Sequence, residues 1–408
     1  MKFEDYKIAK VLKTEISNMG WKRPTDIQYK AIHSILKGED VLAIAQTGTG
    51  KTASYVIPIL NQVHHQLSTQ KEHYVRSLVL VPTRELAEQV EQVFKKIGKQ
   101  TSIRTQSVMG GVTQDDQIKA LDDGVDIVIA TPGRMFDLIA QGKLKVDRLQ
   151  TLVLDEADHM LDLGFIKDIR DLMRHIPRSR QTLFFSATID KEIKKIAYEL
   201  VRNAIRIQIS PKNPVSKNIE HTVAFVEMDD KRFFLENIIK ENEEMKIIAF
   251  VRTRVRAERV VKAMERAGLK AVAIHGNLAQ EERFEVLEAF KKGEVKTLIA
   301  TDVAARGIDI EGVGAVVNYD LPEEPENYVH RVGRTGRGKE KGVAISFCSE
   351  DEKPFLEAIE EYTGSPINIY DLSKNEYKAI IEDADDGTYN WKQLIDEENK
   401  RLGKENEW

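Results

Sequence analysis

The sequence predicts an α/β protein of two tandem domains, each a mostly parallel sheet flanked by helices, with a cleft between them. Three observations carry that expectation. Short, continuous apolar runs recur along the chain, each ending in small or polar residues; strands covered on both faces need continuous hydrophobicity, whereas half-exposed strands alternate. Segments with helical periodicity fill the intervals between the runs. The same design occurs twice, on either side of Ser210-Pro211-Lys212-Asn213-Pro214-Val215-Ser216, a polar stretch with two prolines and the composition of a linker.

In the first half the expected strands are Val41-Leu42-Ala43-Ile44, Leu78-Val79-Leu80-Val81, Ile127-Val128-Ile129-Ala130, Leu152-Val153-Leu154 and Leu183-Phe184-Phe185. One helix between them is expected from Arg84 to Ile97, because Leu86, Val90, Val93 and Ile97 recur at helical spacing and Gly98 can end it. In the second half the strands are Ile247-Ile248-Ala249-Phe250-Val251, Ala271-Val272-Ala273-Ile274, Leu298-Ile299-Ala300, Ala315-Val316-Val317 and Val343-Ala344-Ile345. Phe284, Leu287 and Phe290 mark a helix that Gly293 would terminate. After about Ser365 the pattern fades, and from Asp371 onward there are 11 acidic and six basic residues, so a short appended helix and a loose tail are expected. The expected boundaries are 1–208 for the first domain, 209–218 for the linker, 219–368 for the second domain and 369–408 for the acidic tail.

Composition narrows the class. The 408 residues are 41% hydrophobic and 31% charged, the mixture of a globular protein large enough for two or three cores. No run of about 18 apolar residues could span a bilayer, and Met1-Lys2-Phe3-Glu4-Asp5 lacks the apolar stretch of a secretory signal. Cys348 is the only cysteine, which excludes an internal disulfide and any multi-cysteine metal site, and a cytoplasmic location is the natural expectation. A net charge of -5 argues against coating by nucleic acid but leaves room for a local basic groove. His64, His65 and His73 show no metal-ligand spacing.

In open parallel sheets, ligands bind beyond the carboxyl ends of the strands, and the chemically suggestive residues cluster there. Ala45-Gln46-Thr47-Gly48-Thr49-Gly50-Lys51-Thr52 follows a strand and opens a helix, the setting of a P-loop. Its glycines allow backbone N–H groups to surround phosphate oxygens, Lys51 would reach the β- and γ-phosphates, and Thr52 would ligate Mg²⁺. The strict pattern begins with Gly, where this chain has Ala45. Asp155-Glu156-Ala157-Asp158 follows Leu152-Val153-Leu154, so Asp155 emerges where a Walker B carboxylate holds Mg²⁺, and Glu156 can orient or deprotonate the attacking water. Without the upstream P-loop the same four residues would be a solvated helix start. Arg334 and Arg337, three apart in His330-Arg331-Val332-Gly333-Arg334-Thr335-Gly336-Arg337, could point one way from a helical turn and act as arginine fingers. Taken alone, that segment is equally an ordinary basic surface turn.

These motifs, in this order over about residues 1 to 365, resemble the DEAD-box family of superfamily 2 helicases, with two RecA-like domains. Gly20-Trp21-Lys22-Arg23-Pro24-Thr25-Asp26-Ile27-Gln28 is similar to the family's Q motif, with Trp21 where Phe is commoner, and Phe3 lies at the family's spacing for an adenine-stacking aromatic. The resemblance implies that Phe3, Lys22, Thr25 and Gln28 select ATP, and that Gln46 through Thr52 hold its phosphates. Pro82-Thr83-Arg84-Glu85-Leu86-Ala87, Gly110-Gly111 and Thr131-Pro132-Gly133-Arg134 resemble motifs Ia, GG and Ib, which hold the RNA backbone; hydroxyls, backbone N–H groups and Arg suit that work. Ser186-Ala187-Thr188 is similar to motif III, which with Asp158 couples ATP state to unwinding. Phe250-Val251-Arg252-Thr253, Gln280 with Arg283, and Thr301-Asp302-Val303-Ala304-Ala305-Arg306-Gly307-Ile308-Asp309 resemble motifs IV, IVa and V. They imply RNA contacts at Arg252, Gly276 and Thr301, and an ATP ribose contact at Asp309. The segment from His330 to Arg337 matches motif VI, which implies catalytic roles for His330, Arg334 and Arg337.

The implied activity is RNA-stimulated hydrolysis of Mg²⁺-bound ATP, coupled to local, non-processive unwinding of short RNA duplexes or remodelling of RNA–protein complexes. Two other readings stay open. A DNA helicase would share the P-loop and fingers but not the Phe3 and Gln28 pair, while an RNA clamp without unwinding would share every motif. The compact core with a short tail resembles the bacterial RhlE-type subgroup, which implies a monomer working in ribosome assembly or RNA turnover, beside ribosomal or RNA-degradation proteins. The long basic extension of many such members has no counterpart in residues 371–408, which puts specific RNA targeting in doubt.

Overall fold

A computed structural model of the protein describes residues 1–46, 48–189, 191–209, 215–305, 310, 312–336 and 341–384. The chain divides into two units, the first carrying residues 1–216 and the second most of the chain from Lys217 onward. In the first unit the order is α1 (Lys10–Asn18), α2 (Asp26–Leu36), β1 (Val41–Ala45), α3 (Lys51–Thr69), β2 (Ser77–Leu80), α4 (Arg84–Ile97), β3 (Thr105–Val108), α5 (Gln114–Asp122), β4 (Ile127–Ala130), α6 (Pro132–Ala140), β5 (Thr151–Leu154), α7 (Ala157–Asp162), α8 (Ile166–His175), β6 (Gln181–Ser186), α9 (Lys191–Leu200) and β7 (Ile205–Ile209). Its seven strands are parallel and ordered β3-β4-β2-β5-β6-β1-β7.

The double-sided burial inferred from the continuous apolar runs is visible residue by residue. Val41, Ala43 and Ala45 of β1 enter one core with α1 to α4, while Leu42 and Ile44 enter the other with α6 to α9. Helix α4 turns Leu86, Val90, Phe94 and Ile97 inward, and Gly98 ends it. The inward residue of its third turn is Phe94, 1% exposed, with Val93 only partly buried beside it. Full burial of a Phe side chain contributes about 1.5–3 kcal/mol, which fixes the helix's rotation.

The second unit runs β8 (Ile219–Phe225), α10 (Lys231–Glu241), β9 (Lys246–Val251), α11 (Arg254–Arg266), β10 (Ala271–Ile274), α12 (Gln280–Lys292), β11 (Thr297–Thr301), α13 (Asp302–Ala305), β12 (Val313–Asn318), α14 (Pro325–Val332), β13 (Gly342–Cys348), α15 (Lys353–Thr363), β14 (Asn368–Ile369) and α16 (Lys374–Ala384). Its sheet is again parallel, ordered β10-β11-β9-β12-β13-β8-β14. Helix α16 is the appended helix: Tyr377 packs its ring 4.9 Å from Phe234 and donates to Asp230 Oδ2 at 2.8 Å. Among the described residues no helix is long and apolar enough to cross a membrane.

Four strands carry no continuous apolar run. Strands β3, β7 and β14 lie at sheet edges, and β8 has only the two-residue β14 on one side. Each keeps polar residues in its run, such as Thr105-Gln106-Ser107 in β3 and Arg206 and Gln208 in β7, because one face or edge meets water.

Candidate active site

At the end of β1 the chain turns through two glycines with positive φ, Gly48 at 77° and Gly50 at 90°, and enters α3 at Lys51. Thr47 lies outside the described residues. Ala45 still belongs to β1 and is 1% exposed, so the position where the strict motif has Gly is here a strand residue that needs no special backbone. Gly50 cannot be replaced quietly: a Cβ there would sit 2.5 Å from Gln28 Nε2. Lys51 is 7% exposed and its Nζ has no hydrogen-bond partner. A buried ammonium without a partner is costly, and a phosphate oxygen over the loop is the partner its setting fits. Thr49 Oγ1 donates to Gln46 O at 2.7 Å, tightening the turn.

The Q-motif residues brace this loop. Thr25 caps α2, its backbone N–H donates to Gln28 Oε1 at 2.9 Å, and Gln28 Nε2 donates to Gly50 O at 3.2 Å. Each end of that amide can make a second bond. Lys22 and Thr25 are exposed. Phe3 is 3% exposed, with Tyr6 and Trp21 at ring distances of 6.2 and 6.4 Å, so its ring presents little surface.

Strand β5 delivers Asp155 fully into the interior. Its Oδ2 accepts from the Tyr55 hydroxyl at 2.8 Å and its Oδ1 from the Glu156 backbone N–H at 3.0 Å. Burial pushes the Asp155 carboxyl above its ordinary range, while the charge of Lys51 pulls it down. Glu156 has φ 52°, a left-handed conformation that costs a residue with a side chain about 1–3 kcal/mol. That turn lets α7 start at Ala157 and leaves the Glu156 carboxylate beside His159 Nδ1 at 3.5 Å. Because β6 pairs with β5, the segment after β6 meets α7: Asp158 Oδ2 accepts from the N–H groups of Ala187 at 2.9 Å and Thr188 at 3.0 Å. Ser186 is fully buried and its hydroxyl has no partner. Two neighbouring strands are thus linked by one carboxylate.

The ends of β2, β3 and β4 gather a second set. Thr83 caps α4 by accepting from Leu86 N at 3.3 Å, and Thr131 and Pro132 open α6. Arg84 is half-buried against the glycine pair, so closely that a Cβ on Gly111, whose φ is 78°, would lie 2.2 Å from Arg84 Nη1. Arg134 donates to Val112 O at 3.3 and 3.4 Å. Desolvation lowers the Arg84 pKa, and the positive charge of Arg134 adds to that. Pro82 is buried and Gly110 partly exposed. The sheet order therefore sorts the chemistry, with phosphate and acid residues at β1, β5 and β6 and a basic, glycine-lined patch at β2, β4 and β3.

In the second unit Arg331 is 1% exposed and grips Asp302 with two bonds of 2.5 and 2.7 Å, while Nη1 donates to Asp320 O at 2.6 Å. Nothing in residue spacing marks Arg331 out from its neighbours, and motif position alone gives it no role. Arg334 is 7% exposed and donates through Nε to His330 O at 3.3 Å. Thr301 is buried at the end of β11, and Gly276 is exposed with open space around it. Arg252, expected at a nucleic-acid surface, is tied to Glu352 Oε1 at 2.9 Å, and its backbone N–H to Asp320 Oδ2 at 3.0 Å. Arg337 and Asp309 lie outside the described residues. Among the described residues no group of three or more His, Cys, Asp or Glu could hold a metal. Thr52 and Asp155 are the two candidate ligands, and phosphate and water would complete the oxygen set that Mg²⁺ favours.

A P-loop braced by a capping-box glutamine, a buried Walker B carboxylate and a duplicated parallel sheet define a nucleoside-triphosphate-hydrolysing motor core. Residues 25–196 match the DEAD/DEAH box helicase family and residues 230–339 the helicase conserved C-terminal domain. The chain is 40% identical over 377 residues to the ATP-dependent RNA helicase DbpA of Bacillus subtilis, covering 92% of this chain and 78% of that one. It is 39% identical over 372 residues to the ATP-dependent RNA helicase RhlB of Pseudomonas putida, covering 90% and 93%. The structure of S. cerevisiae Dbp5 bound to RNA and ADP BeF3 is similar at 30% identity and a TM-score of 0.82, covering 94% of this chain and 98% of that one. The DEAD-box helicase Mss116 bound to ssRNA and UDP-BeF gives the same identity and TM-score, covering 94% and 82%. The chain belongs to the DEAD-box helicase family, and both its units are RecA-like.

Proposed function

We propose that this protein is an ATP-dependent RNA helicase, whose RNA-stimulated ATP hydrolysis drives local, non-processive separation of short duplexes or remodelling of RNA–protein complexes. One observation carries the reading most: a single sheet edge holds the phosphate loop and the basic, glycine-lined patch, and the Asp158 link to Ala187 and Thr188 lies between them. Lys51 and the loop's N–H groups bind the phosphates, Gln28 with Thr25 and Phe3 holds the base, and Glu156 takes the proton of the attacking water. Mg²⁺, held by Thr52 and Asp155, neutralises charge on the phosphate oxygens when bound. Asp309 contacts the ribose, and Arg334, Arg337 and His330 act on the terminal phosphate. Thr83, Arg84, Gly110, Gly111, Thr131, Pro132 and Arg134, with Gly276, Thr301 and the part of Arg252 left exposed, hold the RNA backbone.

Melting a few base pairs requires only several kcal/mol, at about 1.4 kcal/mol per stacked step, so preferential binding of a bent single strand is enough. The protein then acts as a monomer in the cytoplasm, in ribosome assembly or RNA turnover beside ribosomal or RNA-degradation proteins. The single cysteine supports a reducing compartment.

ATP turnover should rise with single-stranded RNA and not with single-stranded DNA of the same sequence, because 2′-hydroxyls distinguish the two. Equal stimulation by both would contradict RNA selectivity. Strand release from a short duplex, measured beside retention on RNA, separates a helicase from a clamp. Gly111→Ala displaces Arg84, so it should weaken RNA binding about 10-fold and flatten the salt slope by about 0.7, the signature of one lost phosphate contact on a single strand. An unchanged slope would remove Arg84 from the RNA track.

A further inference from the structure

Tyr55 belongs to none of the motifs that define the site, yet it touches the centre of it. It lies on α3 three residues after Thr52, is 0% exposed, and is held between Phe185 and Phe94 at ring distances of 5.2 and 6.4 Å. Its hydroxyl donates to Asp155 Oδ2 at 2.8 Å. Asp155 is one of the two residues assigned above to Mg²⁺. We infer that Tyr55 is a positioning residue for the metal site, its hydroxyl orienting the Asp155 carboxylate; the inference rests on the ATP-site reading above.

The hydrogen inventory gives the reason. A hydroxyl has one proton to donate and two lone pairs. Asp155 as a carboxylate can only accept, so the phenol spends its proton there. On Asp155, Oδ2 is pinned by the phenol and Oδ1 by the Glu156 N–H, so the carboxylate is not free to swing toward the unpartnered Lys51 ammonium. Groups that orient metal ligands in this way typically govern about 10–100-fold in metal affinity or activity.

A purely structural account, in which a buried phenol simply finds an acceptor, makes a different prediction for Tyr55→Phe. That substitution removes one oxygen and keeps the ring in its slot. Binding of a fluorescent ADP analogue, measured in EDTA and across an Mg²⁺ titration, reads the difference without turnover. Nucleotide affinity in EDTA should match the parent, which also reports an intact fold. The Mg²⁺ concentration that half-restores tight binding should rise about 10-fold, and Mn²⁺ binding to the ADP-loaded protein, followed by electron paramagnetic resonance, should weaken in parallel. A lowered melting temperature with unshifted Mg²⁺ and Mn²⁺ midpoints would overturn the inference and leave the ATP-site reading standing. Parent protein whose nucleotide affinity ignored Mg²⁺ altogether would overturn both.

Discussion

Glu156→Gln should leave ATP and RNA binding in place while turnover falls about 10²–10⁴-fold, the usual contribution of a positioned general base. The reasoning is geometric. Glu156 follows a fully buried Asp155 and is held in a left-handed conformation, φ 52°, that most residues avoid. That turn sends its carboxylate away from the path of the strand, beside His159. Gln keeps the size and can accept the same bond, but its amide cannot take a proton from water. Asp155, Lys51 and the loop are untouched, so nucleotide affinity should persist. Single-turnover hydrolysis beside equilibrium nucleotide binding checks both halves. Hydrolysis at the parent rate would move the general base elsewhere, and loss of binding would mean that Glu156 supports the loop instead.

Arg331 and Arg334, three residues apart, should fail in opposite ways. Arg331→Met leaves Asp302 without its two guanidinium bonds and strips the Asp320 carbonyl of a donor. Breaking a fully buried pair from one side costs about 3–5 kcal/mol; Asp302 keeps 23% of its side chain exposed, so urea denaturation should show a loss below that range in the second unit. Arg334→Ala instead should reduce hydrolysis by about 10³-fold or more, the range of an arginine finger, with a smaller loss of stability. Parent-like stability with abolished turnover in Arg331→Met would exchange the two roles. Spacing alone presents these residues as equal members of one basic segment, and only the resemblance to motif VI singles out Arg334. Burial distinguishes the structural one, since Arg331 is 1% exposed with every bond turned inward.

Much of the fold could be read from the chain because strands buried on both faces leave continuous apolar runs, and β1, β2, β4, β5 and β6 lie where those runs are. Strands β3, β7, β8 and β14 could not, since their runs mix polar and apolar residues and resemble a loop in one dimension, whereas the edge strand β10 is continuously apolar. At the site, the P-loop and the acidic tetrad are local motifs, so spacing alone brings them to notice. Arg252 shows what spacing leaves out: its neighbours in sequence place it at a strand's end, and the approach of Glu352, 100 residues later, also holds its guanidinium.

Local order along the chain thus determined the class of chemistry, because a phosphate cradle, a strand-end carboxylate and a capping-box glutamine each need only consecutive residues at set spacings. The tertiary structure decided which groups share a hydrogen bond across long separations. Tyr55 with Asp155, Asp158 with Thr188, and Arg331 with Asp302 are pairs whose partners come from different elements. Sheet order brings those elements together, and sheet order is set by how both faces of each strand are covered, a property of the whole domain that no single segment encodes.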